Sequence, residues 1–304
     1  MKPTTIYAIY FSPCDTTGRL TRFTASIMGN ALGAPVTTID FTLPSDRESA
    51  HIFDKDDIVV FGMPTYAGRL PNKALPFLDL FSGKDTPAVA LVTYGNRSFD
   101  SSLSELNTEL NSRGFRTLAA AAFVSRHVFT KRLAPSRPAA EDYDEAEAFA
   151  RKAADIIAEK AQEDRIDGEC SDGVSGGTIA GNAEGVMSTA NLGLLPGLPA
   201  VEPYYTPLRE DGAPARFLKA KPVTDADACD GCGLCARVCP FGSIDPEEPS
   251  SVPGICVKCQ ACVIKCPKGA KSFDDADFIS HVRMLEENHS HPNVNRTFFI
   301  ENNA

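Results

Sequence analysis

Eight of the ten cysteines lie in two runs of matching spacing. The runs read Cys-Asp-Gly-Cys-Gly-Leu-Cys-Ala-Arg-Val-Cys-Pro at 229–240 and Cys-Val-Lys-Cys-Gln-Ala-Cys-Val-Ile-Lys-Cys-Pro at 256–267. In such runs three thiolates wrap one cubane cluster, and the fourth, before a proline, ligates the other cluster. The spacing therefore predicts two 4Fe-4S clusters with crossed ligation. We expect the ligands to be Cys229, Cys232, Cys235 and Cys266 for one cluster and Cys256, Cys259, Cys262 and Cys239 for the other.

A pair of structural zinc sites is the alternative, because four thiolates also satisfy tetrahedral zinc. Zinc does not need three evenly spaced cysteines, so two matched runs that end in Cys-Pro favour iron-sulfur clusters. The runs resemble the two-cluster bacterial ferredoxins over about residues 223–275. This resemblance implies a small α+β domain that carries electrons.

A second group of residues that could do chemistry lies near the N-terminus, in a hydroxyl-rich loop at 11–18 that precedes a predicted helix. Backbone N–H groups and a helix dipole can hold a phosphate dianion there without any Lys or Arg. A hydroxyl-rich helix cap without a ligand is the alternative. The candidate binding residues are Ser12, Pro13, Cys14, Asp15, Thr16 and Thr17.

The elements that position this loop follow an alternating pattern. Short β-branched runs alternate with amphipathic stretches up to about residue 162, as in a parallel sheet covered by helices. The predicted strands are 5–11, 36–40, 58–63, 88–94 and 118–125, and the predicted helices are 18–31, 72–82, 100–113 and 139–162. This pattern predicts an α/β domain with a doubly wound parallel sheet of five strands. Ligands of such sheets bind beyond the carboxyl ends of the strands.

Two more loops follow predicted strands at that edge of the sheet. Each contains a glycine, which permits turns that present N–H groups, and an aromatic residue that could stack on a flat ring. Their candidate residues are Pro64, Thr65, Tyr66, Ala67, Gly68 and Arg69 in one loop and Tyr94, Gly95, Asn96, Arg97 and Phe99 in the other. The three loops together predict a site for FMN.

The loop at 12–17 resembles the flavodoxin phosphate loop, Ser/Thr-x-Thr-Gly-x-Thr. Ser12 and Thr17 match its ends, whereas Cys14 stands where the family usually has Thr and Asp15 where it usually has Gly. The resemblance implies the flavodoxin-like strand order 2-1-3-4-5. It also raises the question of Asp15, because a carboxylate beside a phosphate repels it unless it is turned outward.

Three signatures make the chain similar to the flavodoxin-ferredoxin fusion proteins of anaerobic bacteria and archaea. They are Tyr-Phe-Ser-Pro at 10–13, Tyr-Ala-Gly-Arg-Leu-Pro at 66–71 and Tyr-Gly-Asn-Arg at 94–97. The resemblance implies one FMN and two 4Fe-4S clusters in an electron-transfer protein. The expected organisation is a flavodoxin-like FMN domain at 1–165, a Gly/Pro-rich connector at 166–222, a two-cluster ferredoxin domain at 223–275 and a tail at 276–304 that packs on the body. Within the connector, a glycine-rich stretch at 176–181 is interpreted as a loop instead of a phosphate cradle.

Five further side chains lie in or beside these motifs. Arg69 and Arg97 are either cations near the flavin ring or members of surface ion pairs. His127, which follows the fifth predicted strand, is interpreted as a loop histidine and is left out of the site. Phe241 and Phe273 follow the cysteine runs and are expected to shield the clusters from water.

Composition limits the partners. Thirty Lys and Arg against 40 Asp and Glu give a net charge of −10, which disfavours nucleic acid and suits a redox partner protein with a basic patch. The apolar runs are too short to insert into a membrane, and the N-terminal residues do not have the pattern of a signal peptide. We therefore expect a cytoplasmic protein, and a homodimer is a further expectation.

The favoured hypothesis is a protein that transfers electrons between FMN, two clusters and a redox partner. The alternative is a flavin-dependent reductase of a quinone, a nitro compound or dioxygen, to which the clusters supply electrons. A third hypothesis is a regulatory protein that senses iron-sulfur integrity, for which the sequence offers no DNA-binding motif. Whether the protein is an enzyme stays open, and no catalytic residue is predicted.

Overall fold

The computed structural model describes residues 3–171 and 193–300. Its strands are β1 (Ile6–Tyr10), β2 (Val36–Asp40), β3 (His51–Phe53), β4 (Ile58–Pro64), β5 (Phe81–Gly83), β6 (Thr86–Tyr94), β7 (Phe115–Val124), β8 (Val223–Thr224), β9 (Lys271–Ser272) and β10 (Arg296–Phe299). Its α-helices are α1 (Thr16–Leu32), α2 (Ser102–Ser112), α3 (Ala140–Ser171), α4 (Leu234–Arg237), α5 (Ala261–Ile264) and α6 (Ala276–Asn288). Two 3₁₀ helices span Pro44–Asp46 and Leu75–Leu80.

The main sheet has the strand order β2-β1-β4-β6-β7-β10. Its first five strands are parallel and follow the order 2-1-3-4-5, which defines the flavodoxin-like form of the doubly wound fold. The predicted fold class is therefore confirmed. In this order the chain reverses direction across the sheet next to β1, so the loop after β1 lies at the switch point.

Hydrophobic side chains cover both faces of this sheet. Alternate residues of a strand point to opposite faces, so Val59 and Phe61 of β4 join one core while Ile58 and Val60 join the other. Helices α1 and α3 cover the face that contains Ile58 and Val60. Helix α2 and the 3₁₀ helix Leu75–Leu80 cover the face that contains Val59 and Phe61. The two cores fix the strand ends, and hence the loops that follow β1, β4 and β6.

The sheet has a sixth strand that the sequence analysis did not predict. Strand β10 pairs antiparallel with β7, where Arg296 faces Ala122 and Phe299 faces Ala119. An edge strand with unpaired backbone groups is a liability, and the C-terminal tail covers the edge at β7 with strand β10. In this tail, Phe298 packs against one core and Phe299 against the other.

Two predicted helices differ in the structure. The helix predicted at 72–82 is wrong: it is replaced by the 3₁₀ helix Leu75–Leu80 and the short strand β5, which pairs with β3. Pro76, inside the predicted helix, has no N–H to donate to a regular helical ladder. The last helix of this half, α3, continues through 162 to Ser171, beyond the predicted connector boundary at 165.

Residues 223–275, which we call the C-terminal segment, repeat one small unit. Helices α4 and α5 each begin after a residue with positive φ, Gly233 at 67° and Gln260 at 64°. Each helix carries one cysteine of its run, Cys235 in α4 and Cys262 in α5. Strands β8 and β9 pair antiparallel and tie the start of this segment to its end.

The glycine-rich stretch at 176–181 lies outside the described residues. Within 3–171 and 193–300, no helix combines the length and the apolar composition that a membrane crossing requires.

Candidate functional site

One cavity of the C-terminal segment gathers the first predicted set of ligands. We call it the Cys232 cavity. The four cysteines that line it are Cys229, Cys232, Cys235 and Cys266. Two of them come from opposite ends of the segment, so the fold brings together the crossed set that the spacing predicts.

A second cavity gathers the other set, and we call it the Cys256 cavity. The four cysteines that line it are Cys239, Cys256, Cys259 and Cys262. Phe241 and Phe273 also line this cavity, as expected of side chains that exclude water. The crossing is reciprocal, since Cys239 follows the first run's triplet and Cys266 the second's.

Backbone N–H groups point at several of these sulfurs. Ser243 N–H donates to Cys239 Sγ at 3.3 Å, Ala270 N–H to Cys266 Sγ at 3.3 Å and Lys258 N–H to Cys256 Sγ at 3.4 Å. Hydrogen bonds to sulfur stabilise bound thiolates and tune the potential of iron-sulfur clusters. The donor set therefore fits a 4Fe-4S cluster in each cavity.

Burial makes free thiolates costly in the Cys256 cavity. It raises the pKa of Cys262 to about 12, and it raises the pKa values of Cys256 and Cys259 as well. Metal ligation offsets this cost, because ligation requires the thiolate. For a single metal ion, no group of three or more His, Cys, Asp or Glu side chains is suitably placed in the described part of the chain.

The loop after β1 has the backbone geometry of an anion site. Ser12 Oγ accepts a hydrogen bond from Gly18 N–H at 2.9 Å, and the Thr17 hydroxyl bonds to the Thr93 hydroxyl at 2.7 Å. Asp15, at the N-cap of α1, has a φ of 67° and makes no side-chain cap bond. The Ser12 hydroxyl thus caps one N–H of the first turn of α1, as in the alternative without a ligand. The other N–H groups of a helix's first turn are of the kind that bind phosphate.

Asp15 is turned away from this loop. Its side chain is 64% exposed, and its Oδ1 lies 3.0 Å from Nζ of Lys265, a residue of the C-terminal segment. The carboxylate that departs from the flavodoxin pattern is thus directed outward and paired with a cation.

Cys14 joins the same loop to the Cys256 cavity. Its Sγ donates a hydrogen bond to the carbonyl oxygen of Cys259 at 3.0 Å. Burial raises the pKa of Cys14 to about 12, which opposes a reactive thiolate. Cys14 is therefore a packing and hydrogen-bonding residue of the contact between the two parts of the chain.

The loop after β4 forms a tight turn. Tyr66 and Arg69 exchange backbone hydrogen bonds at 2.8 and 3.1 Å, and Thr65 N–H donates to Thr93 O at 2.8 Å. Gly68 has a φ of 78°, and a Cβ there would lie 2.1 Å from an oxygen of Asp100, so only glycine fits. Burial, followed by the charges of Cys259 and Cys14, raises the pKa of the Tyr66 hydroxyl well above its ordinary value.

Arg69 has a structural partner. Its guanidinium binds Glu105 at 2.6 and 2.9 Å and the carbonyl oxygen of Glu202 at 2.7 Å. Glu105 is buried and also accepts a hydrogen bond from Leu70 N–H at 2.7 Å. Arg69 therefore fixes the turn after β4, which corresponds to the ion-pair interpretation except that the pair is largely buried.

The loop after β6 is held by the C-terminal tail. The Tyr94 hydroxyl donates to Val294 O at 2.6 Å, and Asn96 Nδ2 donates to the carbonyl oxygens of His289 and His291 at 2.7 and 2.9 Å. Arg97 lies 3.9 Å from the centre of the Tyr205 ring and pairs with Asp100. The side chains of Tyr94 and Asn96, predicted to line the ring site, thus bond to the tail.

Sequence analysis left out two residues that lie at this edge, Arg126 and His127. The Arg126 charge acts on the Cys14 thiol. His127 abuts Gly95, where an added Cβ would lie 2.7 Å from the imidazole ring. Burial lowers the pKa of His127 to about 3, and the electrostatic effects of His281 and Arg97 act in the same direction. Their position after the fifth parallel strand was the available signal, because that strand ends at the same edge.

Comparison with known proteins gives one family match. Residues 221–244, which contain the first cysteine run, match the model of a family described as a 4Fe-4S binding domain. No curated protein matches the chain.

Several solved structures resemble about half of the chain. A flavodoxin from the domain Archaea is 12% identical, with 51% of this chain and 99% of that chain aligned and a TM-score of 0.36. A Streptococcus pneumonia flavodoxin is 19% identical over 52% of this chain and 99% of its own, with a TM-score of 0.35. Rubredoxin oxygen:oxidoreductase from the anaerobe Desulfovibrio gigas is 17% identical over 53% of this chain and 38% of its own, with a TM-score of 0.36.

The strand order defines the N-terminal half as a flavodoxin-like α/β domain. The family match places a 4Fe-4S binding motif after it. The chain is therefore a fusion of a flavodoxin-like domain with a ferredoxin-type segment.

Proposed function

We propose that this chain is a flavo-iron-sulfur protein that binds one FMN and two 4Fe-4S clusters and exchanges electrons with a redox partner protein. The observation that carries the proposal is the pair of cavities, each lined by one crossed set of four cysteines. One of these cavities adjoins the loop after β1 through the bond between Cys14 and Cys259.

The residues that would hold FMN are those of the three loops at the carboxyl edge of the sheet. The loop at 12–17 would take the phosphate, supported by the outward position of Asp15. Tyr66 and the loop after β6 would lie beside the ring. When bound, a flavin accepts two electrons and can release them one at a time, whereas each cluster carries one.

The chain's own residues supply three things to such a protein. N–H groups of Ser243, Lys258 and Ala270 stabilise negative charge on the cysteine sulfurs. Phe241, which packs 6.0 Å from the ring of Phe11, excludes water where the two parts of the chain meet. Hydrogen bonds between Asn96 and the tail hold the loop after β6 in place.

A cytoplasmic location and a partner with a basic surface belong to the same proposal. The nine described cysteines form no disulfide, as is usual in a reducing compartment. The net charge of −10 suits a basic partner.

Anaerobic purification of the whole chain tests this proposal by its content. We expect about eight iron and eight sulfide per chain, together with FMN in equimolar amount. Cys256→Ala should lower the iron content by about half, whereas Cys170→Ala, which changes a cysteine of neither set, should leave it unchanged. Zinc in place of iron, or iron without flavin, would contradict the proposal.

A further inference from the structure

We infer that the two cysteine cavities have unequal places in the molecule: the Cys256 cavity is the internal one, which exchanges electrons with the flavodoxin-like domain, and the Cys232 cavity is the external one, which meets the partner protein. This inference rests on the proposed function. It assigns an order to the two clusters, which cysteine spacing alone leaves symmetrical.

Cys14 contacts the lining of the Cys256 cavity. It belongs to the loop after β1, and its thiol bonds to the carbonyl oxygen of Cys259, a lining residue. One of the three predicted flavin loops is therefore bonded directly to this cavity.

Aromatic side chains pack where the Cys256 cavity meets the flavodoxin-like domain. Phe241 lines the Cys256 cavity, and its ring lies 6.0 Å from Phe11 and 6.1 Å from Phe77 of that domain. The guanidinium of Arg47 lies 5.5 Å from the ring of Phe241 and 3.9 Å from the ring of Phe77. This packing joins the lining of the cavity to the core of the flavodoxin-like domain.

The two sets of cysteines differ in exposure at one member. Cys259 and Cys262 of the Cys256 cavity are buried at 8% exposure each, whereas the Cys232 cavity has one buried member, Cys235 at 9%, and one exposed member, Cys232. Among the described residues, the hydrogen bonds and ion pairs of those that line the Cys232 cavity stay within the C-terminal segment, such as Lys268 with Asp230 and Lys271 with Thr224. Within the described part of the chain, the Cys232 cavity therefore makes no polar contact with the flavodoxin-like domain, and one of its cysteines is open to solvent.

One ligand variant for each cavity tests this order. In Cys232→Ala and Cys256→Ala, the flavin is photoreduced anaerobically, and reduction of the remaining cluster is followed by freeze-quench EPR. In Cys232→Ala, we expect electrons to pass from the flavin to the remaining cluster within about twofold of the wild-type rate. In Cys256→Ala, we expect this transfer to be slower by about tenfold or more, which is the size of effect that changes around a metal site commonly have. Equal losses, or the reverse order, would overturn the inference.

A measurement on the unmodified chain covers the case in which a variant does not fold. Iron is removed slowly with a ferrous chelator while iodoacetamide labels each cysteine as it is released, and labelled peptides are quantified by mass spectrometry. Cys229 and Cys232 should be labelled at least about tenfold faster than Cys259 and Cys262, because buried segments open less often. Equal or inverted rates would contradict the assignment.

The two proposals fail in different ways. An unmodified chain without FMN or with too little iron contradicts the proposed function itself. Full cofactor content combined with equal losses in the two variants contradicts only the assignment of internal and external cavities.

Discussion

The thiol of Cys14 donates a hydrogen bond to the carbonyl oxygen of Cys259 at 3.0 Å, across 245 residues of sequence. The first residue belongs to the loop after β1 and the second to the lining of the Cys256 cavity. The predicted phosphate loop and one predicted cluster site are therefore in contact. We expect a change in the loop to affect the Cys256 cavity, and a change in the cavity to affect the loop.

The ion pair between Asp15 and Lys265 should set the charge beside the phosphate loop. Asp15→Asn removes a carboxylate and keeps a residue that tolerates positive φ, so FMN should bind about two- to fivefold tighter. Lys265→Gln leaves the carboxylate unpaired, so binding should weaken by a similar factor. Fluorescence titration of the flavin-free protein measures both dissociation constants.

The matched control for this pair is Lys268→Gln. Lys268 is a half-exposed lysine of the same segment, but it lies near Asp230 at 3.9 Å. Its replacement changes the net charge equally and should leave the affinity for FMN unchanged. A shift of Asp15→Asn and Lys265→Gln in the same direction would sink this account.

Asn96 should anchor the C-terminal tail. It is 3% exposed, it donates to two tail carbonyl oxygens, and its Oδ1 accepts from Asn293 N–H at 3.0 Å. Asn96→Gly keeps the positive φ of 65° but loses these bonds, so the free energy of unfolding should fall by about 2–4 kcal/mol. Asn96→Ala adds backbone strain of about 1 kcal/mol. Urea denaturation of both variants gives the comparison, and an alanine variant more stable than the glycine variant would argue against it.

His127 should make stability depend on pH. Its pKa is lowered to about 3 by burial, so the folded state disfavours the protonated form that the unfolded chain accepts below about pH 6.5. The contribution of His127 to the free energy of unfolding is fully present above about pH 6.5. It is lost as the pH falls towards 3, and the free energy of unfolding then changes by at most about 1.4 kcal/mol per pH unit.

The test compares wild type with His127→Asn in urea at pH 7.5 and pH 5.5. Asparagine keeps an acceptor for Phe129 N–H, which donates to His127 Nδ1 at 3.2 Å, and it does not titrate. The difference between the two proteins should change with pH in favour of the variant at low pH, while acid sensitivity common to both cancels. A difference that is constant with pH would refute this role.

The buried ion pair of Arg69 and Glu105 should hold the turn after β4. The Glu105 side chain is 5% exposed, so Glu105→Ala leaves Arg69 and Leu70 N–H without their main partner and should cost about 3–5 kcal/mol. Glu109→Gln, which weakens a more exposed pair on the same helix, should cost less than about 1 kcal/mol. Thermal unfolding ranks the two variants, and equal costs would speak against the buried pair.

Local patterns were sufficient for much of the flavodoxin-like domain. The strand predicted at 36–40 is β2 with the same bounds, and the strand predicted at 58–63 is one residue shorter than β4. Short β-branched runs and the 3.6-residue period carry this information in neighbouring residues. The two sets of cysteines that line the cavities were equally predictable, because the spacing within the two runs indicates which residues group together.

Contacts between distant parts of the chain were not predictable in the same way. Strand β10 completes the sheet from the C-terminal end, and its four residues carry no strong strand pattern of their own. The partners of Tyr94 and Asn96 lie about 200 residues away in the tail. Such pairings depend on how the finished surfaces meet, and a single sequence holds no local signal for them.

Electron exchange between FMN and the clusters is tested by a stepwise dithionite titration of the anaerobically purified whole chain, followed by visible absorption and EPR. We predict that FMN and two clusters are present in one chain and exchange electrons with each other during the titration. A chain whose iron clusters titrate without any bound flavin, or whose flavin never equilibrates with the clusters, would contradict it.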